Sequence, residues 1–134
     1  MPNRDATSQV WRQLAAAKYI NLETYRKDGT AVRTPLWFAA DSETSELYIS
    51  TPAGAGKVKR IRRYPGVRVA ACDFKGDVKG EWMAAEARFC DAEQAKRAGR
   101  LLDRKYPMKF FFNVLAFLFR RKRALIGLRA ASGA

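Results

Sequence analysis

The chain has 134 residues, the size of one ordinary domain, and at 48% hydrophobic it can bury a core and is no disordered tail. Lys and Arg total 26 against 13 Asp and Glu, and the formal net charge of +13 calls for an acidic partner: nucleic acid, an anionic membrane surface or a polyanionic small molecule. Histidine is absent, which excludes a Ser-His-Asp triad, a Cys-His dyad and every histidine-ligated metal site.

Any chemistry therefore falls to carboxylates, Lys, Tyr or Cys, or to a cofactor. The two cysteines, Cys72 and Cys90, form neither a metal cluster nor a disulfide framework, and a reducing compartment fits them. Residues Met1 to Ser8 carry no apolar signal-peptide core, and no apolar run approaches the ~20 residues that span a bilayer. A cytoplasmic location is expected.

The spacing predicts a first helix over residues 7–17, with Thr7 or Ser8 as its cap and Val10, Leu14 and Ala17 on one face. A strand follows from Tyr19 to Thr24, in which Ile20 and Leu22 alternate with polar residues. Asp28-Gly29 marks a hairpin turn that tolerates positive φ. The second strand is expected from Ala31 to Ala39, with Val32, Thr34, Leu36 and Phe38 on one side and Arg33, Pro35 and Trp37 on the other. Pro35 cannot donate to a ladder, so it marks an edge or a bulge.

A polar turn from Asp41 to Ser45 leads to a third strand, Glu46 to Thr51. A small-residue loop, Thr51 to Gly56, then opens a short basic helix from Lys57 to Tyr64, with Val58 and Ile61 inward. Two strands follow, Val67 to Phe74 and Glu81 to Cys90, joined by a turn from Gly76 to Gly80. Asp91, with Gln94 three residues on, has the form of a capping box. The helix it opens places Ala95, Ala98, Leu101 and Leu102 inward and stops at Tyr106-Pro107. Met108 to Phe119 reads as a nearly all-apolar helix, closed by the Arg120 to Arg123 cluster, and Ala124 to Ala130 as a last strand. There is no internal repeat and no linker, so one domain, 1–134, is expected. Strands joined mostly by tight turns imply an antiparallel sheet curled into a small barrel, mainly β, with peripheral helices.

Three segments could carry chemistry. In Ser50 to Arg63 a strand ends, a small-residue loop admits another molecule, and free N–H groups at a helix start favour an anion. Thr51 adds a hydroxyl, and Lys57, Lys59 and Arg60 add charge; the glycine spacing is not that of a Walker loop. A plain solvated basic helix is the competing reading. In Arg33-Thr34-Pro35-Leu36-Trp37-Phe38, a proline-disrupted strand could bond a flat heteroaromatic ring through its backbone, with Trp37 lining the site; the alternative is an ordinary barrel strand. The apolar stretch from Phe110 to Phe119 suits core or dimer packing better than a membrane surface, because it lacks a polar face. Asp73, Glu81 and Glu86 show no spacing that marks an acid/base pair.

Three ordered stretches carry a family resemblance: Tyr25 to Phe38; Leu47 to Thr51 running into Gly56 to Arg62; and Val67 to Asp73 followed by the Gly76 turn and Glu86-Ala87-Arg88. With these the chain resembles the pyridoxamine-phosphate-oxidase-like class of deazaflavin-dependent oxidoreductases, short subfamily, over roughly residues 18–106. The resemblance implies a six-stranded antiparallel split β-barrel that forms a homodimer, with one cofactor in each of two grooves between subunits. It implies that the strand from Thr34 to Phe38 lies along the cofactor ring, with Arg33, Thr34, Pro35, Leu36 and Trp37 binding the cofactor. It also implies that Thr51, Gly56, Lys57 and Arg60 take the phosphate. The implied cofactor is coenzyme F420, a deazaflavin, with FMN as the alternative, and the implied chemistry is hydride transfer to or from a small organic substrate. The polyglutamate tail of the deazaflavin suits a surface of charge +13. A barrel that holds a flavin or tetrapyrrole without turnover is the competing class, and a basic nucleic-acid binder ranks last, since no nucleic-acid motif is present.

Overall fold

The computed structural model describes residues 4–106 and 123–131. The predicted apolar helix Met108 to Phe119 lies outside the described residues. Among the described residues three helices, α1 (Arg4–Ala16), α2 (Gly56–Arg63) and α3 (Ala92–Lys105), flank seven strands: β1 (Tyr19–Tyr25), β2 (Ala31–Leu36), β3 (Ala39–Asp41), β4 (Glu46–Pro52), β5 (Gly66–Cys72), β6 (Met83–Phe89) and β7 (Arg123–Ala130). Thr7 and Ser8 lie inside α1 rather than capping it, because the helix runs back to Arg4.

The strands form one sheet in the order β2-β1-β5-β6-β7-β4-β3, and every pairing is antiparallel. The two edge strands, β2 and β3, are consecutive in the chain, with Trp37 and Phe38 between them. The three steps from Leu36 to Ala39 reach at most ~11 Å. The opposite edges of the sheet must therefore meet there, so the sheet curls round on itself. Its interior holds Ile20, Leu22, Phe38, Leu47, Ile49, Val69, Ile126 and Leu128, all at most 1% exposed. Val58 and Ile61 of α2 and Leu14 of α1 join the same cluster.

The expected single strand Ala31 to Ala39 is thus two strands at opposite ends of the sheet, and the sheet has seven strands rather than six. The alternation holds through Leu36, as Val32, Thr34 and Leu36 are half-buried while Arg33 and Pro35 are exposed. It breaks at Trp37, which stacks on Tyr106 with ring centroids 4.8 Å apart and an interplanar angle of 16°. The Phe38 N–H donates to the Tyr106 hydroxyl at 2.9 Å instead of to a neighbouring strand. That hydroxyl has its own hydrogen to give, and the Phe38 and Lys18 carbonyls lie 2.9 and 3.0 Å away. The residue that ends α3 therefore bonds the backbone where the sheet edges meet. Burial pushes the Tyr106 phenol up to about 12, so it stays protonated and able to donate. Tyr106→Phe leaves the buried Phe38 N–H without its acceptor and should cost about 1–3 kcal/mol of stability in a urea titration. An unchanged midpoint would mean that water replaces the hydroxyl.

Other boundaries follow local chemistry. Gly29, at φ +88°, makes the β1–β2 turn, closed by the bond from Arg26 N to the Thr30 carbonyl at 2.9 Å. β5 stops at Cys72, short of the expected Phe74, because the Asp73 carboxylate accepts from the amides of Lys75 and Asp77 and bends the chain away. The Asp91–Gln94 capping box forms as the sequence indicates, with Gln94 N donating to Asp91 at 2.8 Å and Asp91 N to Gln94 at 3.1 Å. No helix among the described residues is long and apolar enough to cross a membrane.

Candidate functional site

Helix α2 begins beside the end of β4. Its N-cap residue, Ala55, offers no side chain to the first amides, and no acidic residue occupies the first turn. An anion would stabilise such an end. Lys57 and Arg60, three residues apart, share one helix face. Lys57 Nζ lies 3.2 Å from the Thr51 hydroxyl, which is 1% exposed. Arg60 Nε donates to the Thr24 hydroxyl at 2.7 Å. Gly56 makes room for it: a Cβ there would stand 2.8 Å from an Arg60 guanidinium nitrogen. The expected phosphate residues Thr51, Gly56, Lys57 and Arg60 therefore come together, while Lys59 points into solvent.

Sequence reasoning missed one member of this group. Arg123 opens β7 opposite Pro52, the last residue of β4. Its Nε donates to the Ser50 hydroxyl at 2.7 Å and one terminal nitrogen to the Ser50 carbonyl at 2.8 Å. The other terminal nitrogen is buried without a hydrogen-bond partner among the described residues. In sequence Arg123 reads as the end of a basic run; only the pairing of the last strand with β4 reveals its place.

Lys57, Arg60 and Arg123 make no ion pair with any carboxylate among the described residues. Burial, with Arg60 and Arg123 nearby, pushes the Lys57 ammonium below its ordinary value. Burial lowers Arg60 and Arg123 too. Desolvated like charges repel one another, and an anion among them relieves both costs.

The expected ring segment divides. Thr34 pairs opposite Leu22, on the strand face that also carries Val32 and Thr24, and Arg60 reaches that face through Thr24. Leu36 packs against the main core. Pro35 lies on the edge strand opposite Asn21, as a residue without an N–H should. Arg33 faces the other way. Its Nε donates to Glu23 at 2.8 Å and its guanidinium lies 4.7 Å from the Trp82 ring. Arg68 binds the same carboxylate, also at 2.8 Å. Trp37 is taken up by Tyr106 and α3, away from the cations.

No family model matches the sequence, and no curated protein does. Solved structures match the fold. An F420 reductase superposes with a TM-score of 0.56 at 20% identity, over 90% of this chain and 93% of its own. A pyridoxamine 5′-phosphate oxidase-related, FMN-binding protein from Nostoc punctiforme gives 0.56 at 17% identity, over 97% of this chain and 81% of its own. A heme binding protein from Mycobacterium smegmatis gives 0.68 at 10% identity, over 97% and 53%. The fold is a split β-barrel. In this split barrel the cation cluster sits where β4, α2 and β7 converge, and the edge strand β2 adjoins it through β1.

Proposed function

We propose that this split barrel binds a phosphorylated flavin-type cofactor, a deazaflavin in first place and FMN in second, and acts as an oxidoreductase on a small organic molecule. The observation that carries the reading is the gathering of Arg60 and Arg123 near Lys57, which reaches Thr51, at an uncapped helix start, with a buried Arg123 nitrogen lacking a partner among the described residues. That donor set fits a phosphate: three cations, a hydroxyl and helix amides, with no competing carboxylate among the described residues. The named neighbours, an F420 reductase and an FMN-binding protein, agree with it.

The bound cofactor would supply the hydride-transferring carbon, which no amino-acid side chain offers. The chain's own residues do the rest. Thr51, Lys57, Arg60 and Arg123 hold the phosphate. The face of β2 that bears Val32 and Thr34, on an edge strand with unpaired backbone groups, gives the ring a bed. The homodimer and the intersubunit groove that the resemblance implies belong to the same proposal.

Side-by-side titration with coenzyme F420 and FMN, followed by intrinsic Trp fluorescence, tests the reading. Micromolar or tighter binding of the deazaflavin with weak FMN binding is the expected result. Preference for FMN moves the protein to the flavin branch, and binding of neither overturns the proposal.

A further inference from the structure

Helix α2 has charge at both ends. Its far end, with the β1–β2 turn and the starts of β5 and β6, borders an open cleft of about 720 Å³. That volume is within the ~300–1,000 Å³ range of small-molecule sites. The floor is apolar and shallow, made by the Ala84 methyl and the backbone around Gly66, while the side chains of Val67 and Ala85 turn inward to the core. Two rings form a corner: Tyr25 and Tyr64 meet edge to face, with centroids 6.1 Å apart and planes at 82°. Gly66 lets the Tyr64 ring lie flat on the backbone, since a Cβ there would stand 2.8 Å from the ring. Tyr64 is nevertheless 58% exposed, so much of it is open to a ligand.

The rim is cationic. Arg26, Lys27, Arg63 and Arg68 line the cleft, and no carboxylate among the described residues does. Glu23 holds Arg68 from behind, and Arg63 is tied to the Tyr25 carbonyl at 3.1 Å. Arg26 and Lys27, exposed on the turn, have no ion-pair partner among the described residues. Lys57 and Arg63 are six residues apart on α2, about 9 Å along its axis; the cleft shares no lining residue with the Thr51 cluster, although Arg60 of that cluster feels the charges of Arg26 and Arg63.

We infer that this cleft is a binding site for a flat aromatic molecule carrying one anionic group, the apolar body lying on Ala84, the Gly66 backbone and the Tyr64 ring and the anion meeting Arg26 and Lys27. An apolar anion suits the combination of apolar floor and cationic rim. A neutral aromatic would leave the rim unused, and a compact inorganic anion would leave the rings unused. The inference rests on the cleft alone, whether or not a cofactor binds at Thr51.

The probe is 2-naphthoate, with neutral 2-naphthamide and inorganic phosphate as controls, titrated into the full chain by amide NMR. Expected are shifts centred on Gly29, Gly66 and Ala84 and binding at least about tenfold tighter than that of either control. Arg26→Ser with Lys27→Ser should weaken 2-naphthoate by about tenfold, and Lys59→Ser, a cation outside the cleft, should leave it unchanged. Ala84→Phe, at an exposed position, should block the site without altering charge. 2-Naphthyl phosphate in place of the carboxylate shows which anion the rim prefers. Equal loss with Lys59→Ser, equal binding of the amide, or no binding at all overturns the inference. So does competition between 2-naphthoate and a saturating cofactor, which would make the cleft part of the cofactor site. Loss of cofactor binding in Lys57→Ala with 2-naphthoate unaffected would separate the two sites.

Discussion

Lys57→Ala should weaken cofactor binding by about 1.5–3 kcal/mol, a roughly 10- to 150-fold rise in Kd, if a charge-assisted phosphate bond is lost. The basis is geometric. Lys57 is half-buried, touches the Thr51 hydroxyl, and has no carboxylate among the described residues to satisfy it. In the unliganded protein its charge costs free energy, because burial and two neighbouring cations act against it. Lys57→Ala should therefore leave stability unchanged or slightly raise it while cutting affinity. That opposition separates a binding role from a structural one, since a structural lysine would lose both.

Arg123→Ala should give a comparable loss of affinity, because one of its terminal nitrogens is buried with no protein partner among the described residues. Its bonds to Ser50 also join β7 to β4, so some stability should go with it. Lys59→Ala provides the contrast. It removes the same charge from the same helix, but at an exposed position, and should change affinity by less than about threefold. Isothermal titration of the three variants with one cofactor decides the matter. Equal effects at positions 57 and 59 would reduce the site to a diffuse positive potential.

Much of this was legible in the sequence because the signals are local. The Asp28-Gly29 turn, the Asp91–Gln94 box, the period-two strands and the proline at an edge each need only a few neighbouring residues. The Thr51 to Arg60 cluster was legible for the same reason: a strand end, a small-residue loop and a helix start are contiguous. Three features were hidden because they depend on distant residues. The break after Leu36 is made by Tyr106, 68 residues beyond the Phe38 amide that it binds. Arg123 joins the site only through its pairing with β4. Arg33 falls on the face opposite Thr34 as the alternation indicates, but the partners that occupy it there, Glu23 and Trp82, come from distant parts of the chain. A motif fixes which residues are near in the chain; strand register decides which face each one presents.

The same buried carboxylates that hold the sheet together should make the protein sensitive to acid. Glu23, 1% exposed, accepts from Arg68, Tyr25 and Arg33, and its carboxyl is held down to about 2, chiefly by the Arg68 bond and against the opposing effect of burial. Asp41, also 1% exposed, is held to about 2, chiefly by Arg97 of α3. Both folded-state values lie below those of the free side chains, 4.5 and 3.8. Their contribution is therefore complete above pH ~4.5 and is lost as the pH falls towards 2, where the folded state too must take up the protons. At ~1.4 kcal/mol per pH unit of difference, Glu23 contributes about 3 kcal/mol and Asp41 about 2. Urea midpoints between pH 7 and pH 2.5 should fall steeply below pH 4.5. Glu23→Gln should lower stability at pH 7 and flatten that fall, so that variant and parent converge near pH 2.5. An undiminished acid slope in Glu23→Gln would mean that the two arginines hold their places without the carboxylate and that the acid sensitivity arises elsewhere.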